Sequence, residues 1–136
     1  MRILFDTNVL LDALLARKPF VREAAGLFAE VEHGRLTGLV SGTSMTTVYY
    51  VVEKSESAAV ARFGVSRLLR LFEIASVGRT ELIVPVAFVD YEDGVLHGSA
   101  VTAGADGIVT RDPEGFRPST LHVYSPRELL EHLASA

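Results

Sequence analysis

The chain has 136 residues, enough to bury one hydrophobic core without covalent staples, and it is expected to form one domain over residues 1–136. Apolar residues make up 49% and charged residues 22%, the balance of a globular chain rather than a disordered one. The absence of cysteine excludes disulfides, thiolate metal sites and cysteine nucleophiles. The net charge of −4 argues against a broad basic surface for nucleic acid. It leaves open a carboxylate-rich site, which is negative before its metal arrives.

The four histidines (His33, His97, His122, His132) show no HxH or HExxH spacing. The opening MRILFDTNVLLDALLARKPF does not read as a signal peptide, because Asp6 and Asp12 interrupt the apolar run and no small-residue cleavage site follows. No uncharged apolar stretch reaches the roughly 18 residues of a membrane span. The cytoplasm is therefore the expected location, with no membrane association.

In chain order, residues 2–5 (RILF) form a short apolar strand that stops at Asp6. Asp6, Thr7 and Asn8 supply cap chemistry for a helix carrying Val9, Leu10, Ala13 and Leu14, which is expected to end near Lys18-Pro19. A second helix is expected over 20–33, with Gly34 at its C-terminal cap. Residues 36–40 read as a strand and 44–54 as a third helix. The pattern predicts a fourth helix over 57–75, with Val60, Phe63, Leu68, Leu71, Phe72 and Ala75 mostly inward. A strand is expected at 81–84, stopped by Pro85, then a helix over 87–103 ending at Gly104. Strands follow at 107–110 and 121–124, and Ser125-Pro126 opens a last helix. Strands alternate with helices throughout, which favours a parallel sheet covered on both faces.

Three placements of acids stand out among the seventeen. Asp6 directly follows the first strand. Asp112 follows the strand GIVT after one intervening residue. Ligand sites of open parallel sheets lie beyond the carboxyl ends of strands, so both acids share an edge if their strands lie near the switch point. Asp90 and Asp93 are three positions apart and share a helix face near a helix N-terminus. Taken singly, Asp6, Asp90 and Asp112 read better as caps or turn formers than as ligands. Taken together, they form a set that suits a hard divalent cation.

The same residues carry a resemblance. The opening Ile3-Leu4-Phe5-Asp6-Thr7-Asn8-Val9-Leu10-Leu11-Asp12 resembles the start of the PIN-domain nucleases, including the VapC-type toxin ribonucleases. Asp90-Tyr91-Glu92-Asp93-Gly94-Val95 is similar to the family's DFEDAL-like stretch. Gly104-Ala105-Asp106-Gly107-Ile108-Val109-Thr110-Arg111-Asp112 matches its GADxIVTRD/N strand and turn. Ser125-Pro126-Arg127-Glu128-Leu129-Leu130 looks like its closing strand-to-helix junction. The likeness therefore spans nearly the whole chain.

The resemblance implies a three-layer α/β/α fold around a central parallel sheet of about four to five strands. It implies that Asp6, Asp93 and Asp112 are the catalytic acids and hold Mg²⁺ (or Mn²⁺), with Asp90 as a supplementary ligand. It implies that Asn8 and Thr110 support the site. The activity implied is Mg²⁺-dependent cleavage of RNA phosphodiester bonds. A small antitoxin partner, as in type II toxin–antitoxin pairs, and a homodimer through the third and fourth helices are further expectations. Tyr49, Tyr50 and the apolar residues Leu68, Leu69, Phe72 and Ile74 serve a purely internal role equally well.

One departure stands against the pattern. Where the family often carries a glutamate in the third helix, this chain has Thr47, a poor replacement for a carboxylate ligand. Glu53, six residues on, is rotated about 240° around the helix. Thr47 is therefore counted with the supporting residues, and a second tightly held metal is in doubt. Arg111 is the expected phosphate contact, beside a bland reading as a solvated turn residue. Arg62, Arg67 and Arg70 fit an ordinary solvated helix face better than an RNA contact.

Two other classes lack essential parts. A HAD-like phosphatase needs an aspartate where Asn8 stands, and a phospho-receiver domain needs a late lysine that the chain lacks after Lys54. The remaining alternative is a catalytically weak PIN-like domain that binds RNA or protein.

Overall fold

The computed structural model describes residues 1–136. Five strands form one all-parallel sheet: β1 (Arg2–Phe5), β2 (Thr37–Ser41), β3 (Glu73–Ala75), β4 (Gly107–Val109) and β5 (His122–Tyr124). Their spatial order is β3-β2-β1-β4-β5. The chain thus leaves β1 towards one side, returns, and fills the other side. β1 sits at the reversal, where such sheets open a crevice at their carboxyl edge.

Helices cover both faces. They are α1 (Thr7–Leu14), α2 (Val21–Glu32), α3 (Gly42–Ser55), α4 (Ala58–Leu71), the short α5 (Arg79–Leu82), α6 (Tyr91–Thr102) and α7 (Pro126–Ala134), with a 3-10 turn at Pro113–Phe116. The strands are too short to form an obvious pattern singly, yet their alternation feeds two cores. Ile3, Phe5, Val40 and Val109 face α1, α2, α3, α4 and α7. Leu4, Leu39, Ala75 and Ile108 face α6 and the 3-10 turn. This is the three-layer α/β/α fold expected from the sequence.

Three phenylalanines tie the larger core together. Phe72 packs edge-on against Phe5 and Phe28, with ring centroids 5.0 and 5.2 Å away. To do so the chain leaves helical geometry at Phe72, and Glu73–Ala75 pair with β2 as an edge strand. The helix expected over 57–75 is therefore a helix ending at Leu71 plus a strand. Burial departs from expectation in the N-terminal half alone: Val60 and Phe63 are exposed, whereas Leu68, Phe72 and Ala75 are buried as expected.

The strand expected at 81–84 does not form. The Glu81 carboxylate accepts from the Gly78 backbone N–H at 2.7 Å and from the Thr102 hydroxyl at 2.9 Å. Those bonds open α5 and pin it to α6, while β3 already occupies the edge beside β2. Ile83, Val86 and Val89 in the following loop face solvent. The helix expected from 87 starts at Tyr91, capped by the Asp90 carboxylate, which accepts from the Asp93 backbone N–H at 3.1 Å. The last helix opens as expected, with Ser125 and Glu128 capping each other's backbone N–H groups.

Gly38 has a packing reason to lack a side chain: a Cβ there would lie 2.5 Å from the Phe72 ring. Gly38→Ala is expected to lower stability by about 1–3 kcal/mol, the usual cost of overpacking a core. Denaturant unfolding measures it, and an unchanged midpoint would show that the aromatic cluster yields freely.

Candidate functional site

Parallel pairing places Phe5 beside Val109, so the residues that follow each strand emerge together. The Asp6 backbone N–H donates to the Val109 carbonyl at 3.0 Å. At the side-chain level the Thr110 hydroxyl donates to Asp6 Oδ2 at 2.7 Å and accepts from the Asp112 backbone N–H at 2.9 Å. One buried hydroxyl therefore links the ends of two strands 104 positions apart in the chain. Asp112 also caps the 3-10 turn, accepting weakly from the Gly115 N–H at 3.4 Å.

The first turn of α6 supplies the other wall. Asp6, Asp90, Glu92, Asp93 and Asp112 line one hollow together with Thr7, Asn8, Arg17 and Thr47. Every acid singled out from the sequence is thus at one place. Gly115 allows the 3-10 turn to approach: a Cβ on it would lie 2.5 Å from Asp93 Oδ2 and 3.0 Å from Asp112 Oδ2. Neither Gly115 nor Glu92 stood out in the sequence. Glu92 is legible in hindsight, since the first turn of a helix fans consecutive side chains around one end.

Glu92 answers part of the question raised by Thr47. Ser44 in α3 lies 2.7 Å from the Thr7 hydroxyl, which donates onward to Glu92 Oε1 at 3.2 Å. A carboxylate from α6 thus reaches the region between α1 and α3. The Thr47 hydroxyl donates instead to the Thr43 carbonyl of its own helix at 3.3 Å.

The electrostatics are those of crowded acids. Burial first, then Asp6, Asp90, Asp112 and Glu92, push the Asp93 carboxyl from the usual 3.8 up to about 7. Asp6 is also raised: burial outweighs the Thr110 hydroxyl and the Thr7 backbone N–H, and Glu92 and Asp112 add repulsion. All side-chain donors are oxygens, the preference of hard divalent cations. In donor type and charge the set fits such an ion. No three of the carboxylates are gathered closely enough to close on a single ion as they lie, so water or side-chain movement would complete its shell.

Two sequence-derived residues take other places. Asn8 is exposed and its carboxamide oxygen accepts from Arg17 Nη1 at 3.3 Å, so it braces Arg17 rather than Asp6. Arg111 turns from the acid cluster to Asp12, whose side chain is 1% exposed. Its Nε and Nη2 donate to the two Asp12 oxygens at 2.6 and 3.2 Å, and its guanidinium lies 3.8 Å from the Phe20 ring centroid. Bidentate pairing and stacking commit Arg111 to anchoring the turn onto α1, in place of the phosphate contact expected from the sequence.

The model of the PIN domain matches residues 2–114. No curated protein sequence matches the chain. Among solved structures, the VapBC2 structure from Rickettsia felis, bound to a promoter DNA fragment, superposes with a TM-score of 0.65 at 15% identity, covering 92% of this chain and 98% of that one. A toxin–antitoxin complex from Klebsiella pneumoniae gives 0.67 at 22% identity, covering 91% and 97%. FitAcB from Neisseria gonorrhoeae gives 0.68 at 17% identity, covering 92% and 98%. At these identities the structures share the fold.

Two outcomes test this geometry. Between about pH 4 and pH 7 the folded chain keeps a proton on Asp93 that the unfolded chain has released. The stability this group contributes is complete below its unfolded value and disappears as pH rises through about 7. Thermal melts of metal-free protein are therefore expected to show Tm falling from about pH 5 to about pH 8, and Asp93→Asn to flatten that slope. An equal slope in the variant would refute the crowding. Arg111→Ala, which strips Asp12 of its bidentate partner, is expected to cost about 3 kcal/mol in denaturant unfolding, the scale for a broken buried pair; a loss within experimental error would show that Arg17 alone suffices. On the match over residues 2–114 the chain belongs to the PIN-domain family.

Proposed function

We propose that the chain is a Mg²⁺-dependent ribonuclease, with Mn²⁺ as an alternative ion, acting as the toxin of a toxin–antitoxin pair. The observation that carries the nuclease reading is the gathering of five carboxylates in one hollow, with Asp93 held up to about 7. A pocket so anionic is at odds with an anionic substrate unless a cation stands between them. Support for the toxin reading is that fold neighbours from Rickettsia felis and Klebsiella pneumoniae are a VapBC and a toxin–antitoxin complex.

In this reading Asp6, Asp93 and Asp112 hold the ion, and Asp90 and Glu92 add charge beside it. The chemistry the ion supplies is Lewis-acid assistance to phosphodiester hydrolysis. The Thr110 hydroxyl fixes the Asp6 carboxylate and the Asp112 backbone in mutual register. The Ser44–Thr7 pair orients Glu92. Water serves as the nucleophile, so no serine or histidine nucleophile is required.

A protein partner fits the surface. Tyr50 of α3 and Phe63 and Leu69 of α4 are more than half exposed. They offer an apolar face to a small antitoxin or a second copy of the chain. No helix is long and apolar enough to cross a membrane. The proposed place of action is the cytoplasm, where RNA is available.

The second reading, a PIN domain that binds RNA or protein without cutting, is favoured by Thr47 and by the loose spacing of the carboxylates. Cleavage of single-stranded RNA by purified protein separates the two. The wild type is expected to cut with Mg²⁺ and to stop in EDTA. Asp6→Asn and Asp93→Asn are each expected to lose at least about a hundredfold in rate, since several kcal/mol of transition-state stabilisation is at stake. Mg²⁺ binding without cleavage of any RNA would establish the second reading.

A further inference from the structure

The acid hollow does not end at the acids. Asp90, Asp93 and Asp112 also line a second hollow, formed with Ala87, Val89, Glu114, Gly115, Arg117 and Pro118. The two hollows, of about 380 and 450 Å³, therefore join along these shared carboxylates into one trough. Each has a single basic residue. In the first it is Arg17, three residues beyond α1; in the second it is Arg117, just after the 3-10 turn.

We propose that Arg17 and Arg117 hold backbone phosphates on opposite sides of the cut, so that a single strand of RNA lies along the trough and crosses the acids. The inference rests on the nuclease reading and adds the substrate's path. The bonds each arginine makes leave this role available. Arg17 donates to the Asn8 carboxamide at 3.3 Å and stands 3.7 Å from Asp12, a carboxylate already gripped in bidentate fashion by Arg111. Its guanidinium is thus steered by Asn8 and not consumed by a close ion pair. Arg117 reaches only Glu114, at 3.5 Å, with both side chains more than three-quarters exposed. Such a pair holds little free energy and yields to a phosphate.

The trough also suits one strand better than a duplex. Two hollows of about 380 and 450 Å³ have room for single nucleotides and not for the width of a double helix. Beside Arg117 the Val89 side chain is fully exposed next to Ala87 and Pro118, an apolar shelf on which a base can lie. A cation at each end, with the acids between, calls for phosphates both upstream and downstream of the cut. That arrangement favours internal bonds over chain ends.

The test is steady-state cleavage of an end-labelled, mixed-sequence single-stranded RNA in Mg²⁺, across a range of salt concentrations. Arg17→Ala and Arg117→Ala are each expected to raise KM about five- to tenfold, with kcat changed less than twofold. The slope of log(kcat/KM) against log salt is expected to become shallower by about 0.7 for each phosphate that an arginine no longer neutralises. Arg127→Ala removes the same charge from α7, at a residue that lines neither hollow, and is expected to change neither. Arg117→Lys is expected to recover part of the loss. Arg17 touches Asn8 and Asp12, so Arg17→Ala is first checked by its melting curve; if it does not fold, Arg117→Ala decides alone. A wild type that cuts RNA while Arg117→Ala keeps its KM and salt slope overturns the trough and leaves the nuclease reading intact. An equal effect from Arg127→Ala also overturns it, because general charge would then explain the loss. A wild type that neither binds nor cuts RNA removes both.

Discussion

The lateral pairing of β1 with β4 sets one wall of the acid hollow, against which the first turn of α6 brings the rest. Phe5 stands beside Val109, and the chain runs one residue further on each strand to Asp6 and Thr110. The backbone bond from Asp6 to Val109 and the hydroxyl bond from Thr110 to Asp6 are both consequences of that register. A one-residue slip of β1 would invert that strand, turning Ile3 and Phe5 out of one core and Leu4 into it. Two dry cores therefore enforce the same register that the acids need. The apolar content of the strands fixes the polar geometry beyond their ends.

Holding the acids there is costly. Asp6 is 8% exposed and Asp93 keeps its proton up to about pH 7, both signs of charge pressed into too little water. Bonds to Asp6, Asp90 and Asp112 offset part of that cost, and contacts outside the cluster carry more of it. The Arg111–Asp12 pair holds the 111–112 turn from the side remote from the hollow, and Phe20 covers the guanidinium. Gly115 lets the 3-10 turn close on Asp93 and Asp112 without a clash. The edge of the sheet thus has support beyond the carboxylates themselves. Sites that serve function at the expense of stability are built this way.

Much of this was readable in the sequence, for identifiable reasons. Long amphipathic helices and strands bounded by Asp6 and Gly107 carry strong local signals, and the acids announced themselves by following strands. What failed was of two kinds. Edge strands of three residues have no period to read, so Glu73–Ala75 looked like the tail of a helix whose apolar spacing Phe72 continued. Glu81 to Val84 looked like a strand because apolar content cannot reveal a carboxylate spent on capping Gly78. The second kind concerns partners. Arg111 adjoins Asp112 in sequence, which suggested a shared site. Side chains of adjacent residues leave an extended backbone on opposite sides, and Arg111 found Asp12 across the turn. Glu92 was passed over for the inverse reason: its neighbours Asp90 and Asp93 satisfied the spacing of a helix face, while a first turn exposes three sides to the same hollow.

The net charge of −4 now has a local meaning. Averaged over the chain, it speaks against a polyanionic partner. Charge acts through distance and screening, however, and beyond about 8–10 Å in ordinary salt little of it survives. What an approaching phosphate meets is the pair of hollows, lined by six carboxylates and two guanidinium groups. Without a cation the centre repels and the ends attract too weakly to compensate. With the central charge neutralised, the same ends become the dominant field. In the proposed reading, binding of the ion and of the strand are linked, each favouring the other, and reciprocity follows from thermodynamics rather than from any moving part. A nuclease of the proposed kind has no need of a basic surface, and its affinity for nucleic acid would follow the supply of divalent ion more closely than its overall charge.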